Sequence, residues 1–154
     1  MTAKPVDRGI VSVWRWNAML GGFVPLVAAG VPLFTARIPL AAAVIAEATL
    51  LAAILAWIAW YPAARYRHLA WRLEPGGIFI RDGVFFRHES FVARTRIQHT
   101  DVSQGPLQRH YGVAELKLYT AGSRFTKIEL PGLAHGDALA LRDELQREGS
   151  DDAV

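Results

Sequence analysis

With 154 residues, 17 Lys+Arg against 14 Asp+Glu and no cysteine, the chain has room for one or at most two compact units. The lack of thiols excludes disulfides, thiolate metal sites and cysteine nucleophiles. A pI near 9.6 suggests nucleic acid, but from Arg65 onward 13 basic residues face 12 acidic ones, far from the concentrated basic footprint of a DNA or RNA binder.

In chain order, residues 1–16 read as a short basic cytoplasmic tail carrying Lys4, Arg8 and Arg15. Two apolar runs follow, at about residues 17–36 and 39–61, joined by the polar break Thr35-Ala36-Arg37-Ile38-Pro39. The first run is uncharged and the second carries only Glu47. At helical rise each is roughly 30 Å long, enough to cross a bilayer core. Neither has the charged face of a water-facing amphipathic helix. A buried hairpin in a soluble core is the alternative, but so small a domain has too little other mass to hide two such helices. A cleaved signal peptide is opposed by the length of the first run, by Pro25 and Pro32 within it, and by the second span that follows at once. The prediction is a two-helix transmembrane hairpin over residues 17–64.

Trp14 and Trp16 stand at the entrance of the first span, and Trp57, Trp60 and Tyr61 at the exit of the second, before Arg65 and Arg67. Indole and phenol rings favour the interface because one end is apolar and the other wants a wet partner. Both aromatic belts and both basic flanks fall on one side, and the outer loop holds only Arg37. That charge bias predicts a multi-pass protein of the bacterial plasma membrane with both termini cytoplasmic. Pro25 and Pro32 are expected to kink the first helix. Ala48, Ala52 and Ala56 form a small-residue stripe suited to packing the two helices together, or to a partner or second copy. Glu47, about 12 Å in from Pro39, is a functional candidate because carboxylates inside membranes are costly. The alternative is a tolerated structural residue.

Beyond Pro62 the periodicity changes. Leu69 to Glu74 alternates, Pro75-Gly76-Gly77 turns, Ile78 to Arg81 is a strand, and Asp82-Gly83 signals a two-residue hairpin. Val84 to Phe91 and Val92 to Ile97 resume as strands, and Gln98 to Gln104 continues extended. Gly105-Pro106 breaks the chain before Gly112 to Thr120, Ala121-Gly122-Ser123 turns it, and Phe125 to Leu130 is another strand. Short strands at this spacing predict an antiparallel barrel or sandwich. After a break at Pro131-Gly132, Ala134, Ala138, Leu141 and Leu145 recur at helical spacing and predict a C-terminal helix that caps the sheet. Residues 65–148 thus form the domain and 149–154 a flexible acidic tail.

No catalytic constellation is present: GxSxG, HExxH, GxxxxGK[ST] and GxGxxG are all missing. His68, His88, His99, His110 and His135 lack the spacing of metal ligands, and the adjacent Asp143 and Glu144 point to different helix faces. The prediction is a non-enzyme without metal or cofactor.

The most specific stretches are Arg96-Ile97-Gln98-His99, Gln104-Gly105-Pro106-Leu107-Gln108-Arg109, Gly112-Val113-Ala114-Glu115-Leu116 and Thr120-Ala121-Gly122. They resemble the bacterial pleckstrin-homology-like domain of the membrane-anchored, YdbS-like type. Ile128 to Leu133, Ala138 and Leu145 match its closing pattern, and the preceding hairpin fits too. Ala93 departs from it, standing where the family carries a proline. The resemblance implies an α+β fold: a seven-stranded PH-like barrel capped by one helix, held at the inner face of the membrane, with no established chemistry.

The best candidate surface is the polar run Arg94, Arg96, Gln98, His99, Gln104, Gln108 and Arg109. Strand alternation would put Arg94, Arg96 and Gln98 on one face, where guanidinium and amide groups suit carboxylate, phosphate or carbonyl partners. Alternatively Gln98, Gln104 and Arg109 bond the domain's own loops and fix the Gly105-Pro106 turn. Arg65, Arg67 and Arg72 could each add roughly 1 kcal/mol of attraction to anionic lipid heads. The function expected is a membrane-anchored interaction module that binds a protein partner or itself. A lipid or phosphate reader, or an accessory subunit using Glu47, is the alternative.

Overall fold

Asp7 sets where the first helix begins. Its Oδ1 accepts the Gly9 amide at 2.7 Å and its carbonyl accepts the Ile10 amide at 3.3 Å, the acceptors that a helix N-terminus needs. Helix α1 therefore runs Gly9–Thr35, starting well before Asn17. In this computed structural model, which describes residues 4–35, 39–121 and 127–151, strand β1 (Lys4–Pro5) pairs antiparallel with β2 (Ala70–Glu74). Val6, Ile10 and Val13 recur at helical spacing and are 4%, 1% and 3% exposed. The expectation of a plain tail over residues 1–16 is thus corrected over residues 4–13, whose apolar face is core.

Helix α2 spans Leu40–His68, continuing past the expected end at Tyr61. Pro62 removes only the hydrogen bond to the carbonyl four residues earlier, and Ala63, Ala64 and Arg65 are good helix formers that carry the helix onward. Helix α1 likewise stays one element through Pro25 and Pro32. Residues 36–38 of the expected break lie outside the described residues.

The chain forms two compact units, Met1–Val13 with Arg65–Val154, and Trp14–Ala64. In the helical unit both helices are long and apolar enough to cross a membrane, and their apolar windows are only 11% and 6% buried. Helices of a soluble core hairpin would be covered. A Cβ added to Gly22 would meet Ile54 Cγ2 at 2.7 Å, and one on Gly30 would lie 3.6 Å from Glu47 Oε1. Glycines of α1 therefore admit the α2 side chains. The Ala48, Ala52 and Ala56 stripe, read as packing the two helices together or as meeting a partner or second copy, is exposed, which corrects the first of these readings. It is one position out of phase with Glu47 and rotated about 100° from the contact line.

In the other unit, β3 (Gly77–Asp82) and β4 (His88–Ala93) complete an antiparallel sheet of order β1-β2-β3-β4, and β5 (Ile97–Ser103), β6 (Val113–Thr120) and β7 (Lys127–Ala134) form a second of order β5-β6-β7. A one-turn helix, α3 (Pro106–His110), precedes β6, and α4 (His135–Asp151) ends the fold. Antiparallel sheets with a C-terminal helix are as expected; no closed barrel forms among the described residues. Ile78, Leu116, Leu118 and Leu130 are fully buried, and α4 contributes Ala138, Leu141 and Leu145 to the core. Gln146 Nε2 donates to the buried Thr100 Oγ1 at 2.8 Å, fixing α4 to β5.

Four local expectations change. Asp82 pairs with His88, so the two-residue turn is a loop over Gly83 to Arg87, and β4 starts at His88 rather than Val84. The predicted strand over Val92 to Ile97 breaks into a 3-10 turn at Arg94–Arg96, because the Arg94 amide bonds the Gly76 carbonyl and the Arg96 carbonyl accepts from Ala121, both at 3.0 Å. Strand β7 runs through Pro131 and Gly132, which sits in a bulge opposite β6 at φ +81. Helix α4 continues into the acidic stretch as far as Asp151. The start of the expected Phe125 strand, Gly122-Ser123 and residues 152–154 lie outside the described residues.

On sheet β5-β6-β7, burial and then the Glu129 charge push the Glu115 carboxyl above its ordinary range, against the pull of Lys117 and Lys127. The native state therefore holds that proton more tightly than the unfolded chain, so stability falls as pH rises through the raised value. Glu115→Gln is expected to raise Tm at about pH 7 and to leave it unchanged near pH 4, where both forms are neutral. Thermal unfolding of detergent-solubilised protein at the two pH values checks it.

Candidate functional site

Trp71 is the fifth tryptophan of the chain and stands apart from the four beside the spans. Strand β2 turns its ring inward, leaving it 8% exposed. Its indole N–H is buried with no acceptor among the described residues, and such a donor costs about 1–3 kcal/mol if it stays unmade. Register places Lys4 of β1 opposite Trp71, and the Lys4 ammonium lies 5.6 Å over the ring, a cation–π contact.

These two residues wall a groove of about 720 Å³ closed on the other side by α4, within the usual range of ligand sites, roughly 300–1,000 Å³. Leu133 and Leu141 line it, while Asp7, Asp137 and Glu144 bring carboxylates to its rim. Arg72, also in the wall, is ion-paired with Glu74. The groove thus offers a buried donor, a cation over an aromatic face and opposing carboxylates. Both signs of charge at short range suit a peptide segment better than a lone phosphate. Sequence reasoning missed this site. The available signal was an inward-facing tryptophan remote from the membrane belts.

The predicted polar run divides. Arg94 and Arg96 lie in the 3-10 turn and Gln98 in a bulge between Ile97 and His99, so strand alternation does not align them. Arg94, Gln98 and His99 nevertheless line a shallow groove of about 280 Å³ with Gln146. Arg94 Nη1 donates to the Glu144 carbonyl at 3.4 Å, and the His99 ring lies 5.7 Å from that of Tyr119. The others bond the backbone on either side of α3, at Gly105 before it and at Val113 of β6 after it. Gln104 Nε2 donates to the Val113 carbonyl at 2.9 Å, Gln108 Oε1 accepts the Gly105 amide at 2.7 Å, and the Arg109 amide bonds the Gly105 carbonyl at 2.9 Å.

Of the expected interface residues, Trp57 stacks on Tyr61 at 4.6 Å and meets Trp60 edge-on at 6.4 Å. Trp16, Trp57 and Trp60 are exposed, and Trp14 is half-buried. Arg65 pairs with Asp82 at 3.2 Å, while Arg67 is exposed. Two of the three arginines proposed for lipid heads, Arg65 and Arg72, are therefore engaged by carboxylates. Glu47 faces an apolar recess of about 330 Å³ beside Leu26 and Gly30, and its Oε2 is buried with no donor among the described residues. No group of three or more His, Asp or Glu able to hold a metal occurs among the described residues.

A family model described as the bacterial PH domain matches residues 20–149. The UPF0699 transmembrane protein YdbS of Bacillus subtilis (strain 168) is 38% identical over 85 residues, which cover 54% of this chain and 52% of that protein. The chain thus spans about half the length of the curated relative it matches. No solved structure matches.

Proposed function

The chain belongs to the bacterial PH domain family, and from that premise we propose that it is a membrane-anchored, non-enzymatic module that binds a protein segment in the Trp71 groove. Helices α1 and α2 cross the bacterial plasma membrane. The aromatic and basic flanks keep both termini cytoplasmic. We read the two sheets, capped by α4, as the layers of an open PH-like sandwich. One observation carries the binding role: a buried indole N–H with no acceptor among the described residues, on a tryptophan that lines a groove holding charges of both signs. A fold alone does not specify a ligand, whereas an unmade donor specifies an acceptor.

The test is a photo-crosslinking residue at Ala140, which lines the groove and is exposed, in cells carrying the full chain. A discrete adduct is expected there, of a mass that separates a second copy from another protein, and none from the exposed Asp101 on β5. Equal labelling at both positions would contradict the proposal. A lipid-head reader is less well supported, because Arg65 and Arg72 already have carboxylate partners.

A role in a membrane complex rests on Glu47, whose buried Oε2 leaves room for a donor from a partner helix. Glu47→Gln is expected to weaken such a complex in mild detergent. Assembly that survives the change removes this second reading.

A further inference from the structure

The loop between β3 and β4, Gly83 to Arg87, carries two adjacent phenylalanines on its tip. Phe85 is 63% and Phe86 79% exposed, a large apolar display for a turn that needs none to close. The turn is also built rather than slack. Gly83 lies at φ +115, and a Cβ there would fall 1.8 Å from the Phe86 carbonyl oxygen, so only glycine permits this backbone.

Asp82 fixes the base of the loop with both carboxylate oxygens: Oδ1 accepts the Gly83 amide at 2.7 Å and Oδ2 the Arg65 guanidinium at 3.2 Å. Arg65 belongs to the same unbroken helix as Trp57, Trp60 and Tyr61 and stands one helical turn, about 6 Å, beyond Tyr61. The loop is therefore bonded to the segment by which α2 leaves its aromatic belt. Next to the phenylalanines is Arg87, whose cation suits anionic head groups. Exposed aromatic rings beside a cation, tied to the exit of a spanning helix, match the chemistry of the bilayer interface.

We infer that Phe85 and Phe86 dip into the bilayer on the side from which α2 emerges and hold the domain against it. This goes beyond the proposed binding role and rests on the reading that α2 spans the membrane. The ligand is the lipid acyl chain, reached by apolar insertion rather than by head-group recognition.

The chain has no cysteine, so a single introduced one is labelled uniquely. Full-length Phe86→Cys, Val84→Cys and, as the reference, Asp101→Cys are labelled with an environment-sensitive dye in nanodiscs, with aqueous iodide or doxyl-labelled lipid as quencher. Labels at 84 and 86 are expected to emit further to the blue, to lose most of their iodide quenching relative to 101, and to be quenched by the doxyl lipid. Val84→Cys keeps both rings and decides the matter if loss of Phe86 disturbs the loop. Iodide quenching equal to that at 101 would overturn the inference. So would shielding from iodide without quenching by lipid, which would mean that protein covers the loop. An alkaline carbonate wash of membranes carrying the same variants separates the two readings. A retained chain with an exposed loop defeats the inference alone, and a released chain defeats the membrane anchor itself.

Discussion

Ile10→Ala is expected to destabilise the folded domain by about 3 kcal/mol, as for other buried isoleucines cut back to alanine. Ile10 is 1% exposed, and it touches the bulge that lets β7 pass Pro131. A Cβ added to Gly132 would lie 2.9 Å from the Ile10 Cβ, and the Asp7 amide bonds the Gly132 carbonyl at 2.6 Å. The first turn of α1 is thus clamped onto β7. For a unit of this size the loss amounts to a fall in Tm of roughly 12–24 °C, readable by near-UV circular dichroism in detergent. A change below about 0.5 kcal/mol, typical of surface positions, would return residues 4–13 to the status of a tail. Gly132→Ala tests the same contact from the other side. It places a side chain at positive φ, costing about 1–2 kcal/mol, and it crowds Ile10. Combined with Ile10→Ala it should cost less than the sum of the two single changes.

Trp71→Phe separates binding from stability. It keeps an aromatic body in the core but deletes the N–H that has no acceptor among the described residues. Removing an unmade buried donor offsets the loss of packing, so stability should stay within about 1 kcal/mol of the parent. The bond that the N–H makes to a bound carbonyl or carboxylate disappears, so capture at Ala140 should weaken roughly two- to tenfold. Trp71→Ala, by contrast, should cost about 3–5 kcal/mol by opening a core cavity. Undiminished crosslinking in Trp71→Phe, with the fold intact, would show that this donor is not used for recognition.

The two long apolar helices were legible because runs such as Leu40 to Tyr61 carry a one-dimensional signal that needs no partner. The capping helix was legible for a similar reason, since Ala138, Leu141 and Leu145 repeat on one face. The order of strands followed from alternation and turn residues. What the sequence concealed depends on contacts distant in the chain. Val6, Ile10 and Val13 lie among charges, and their role as core appears only once β1 pairs with β2. The Asp82-Gly83 signal was right about the turn and wrong about its length, because the register Asp82 with His88 is fixed by the whole β3–β4 pairing. Arg94 and Arg96 read as strand residues, yet backbone bonds to Gly76 and Ala121 bend them into a 3-10 turn. That turn spoiled the predicted common face. The alanine stripe of α2 had the right spacing for helix contact, but glycines of α1 decided the phase. The Trp71 groove was invisible for a related reason: its walls come from opposite ends of the chain.

Everything proposed for this chain assumes that Gly9–Thr35 and Leu40–His68 lie across a lipid bilayer. Washing native membranes with alkaline carbonate tests that directly, since it strips peripheral proteins and leaves spanning ones in the pellet. The full-length chain is expected to remain with the lipid. Its recovery in the supernatant would contradict the membrane anchor, and with it the reading of a tethered binding domain.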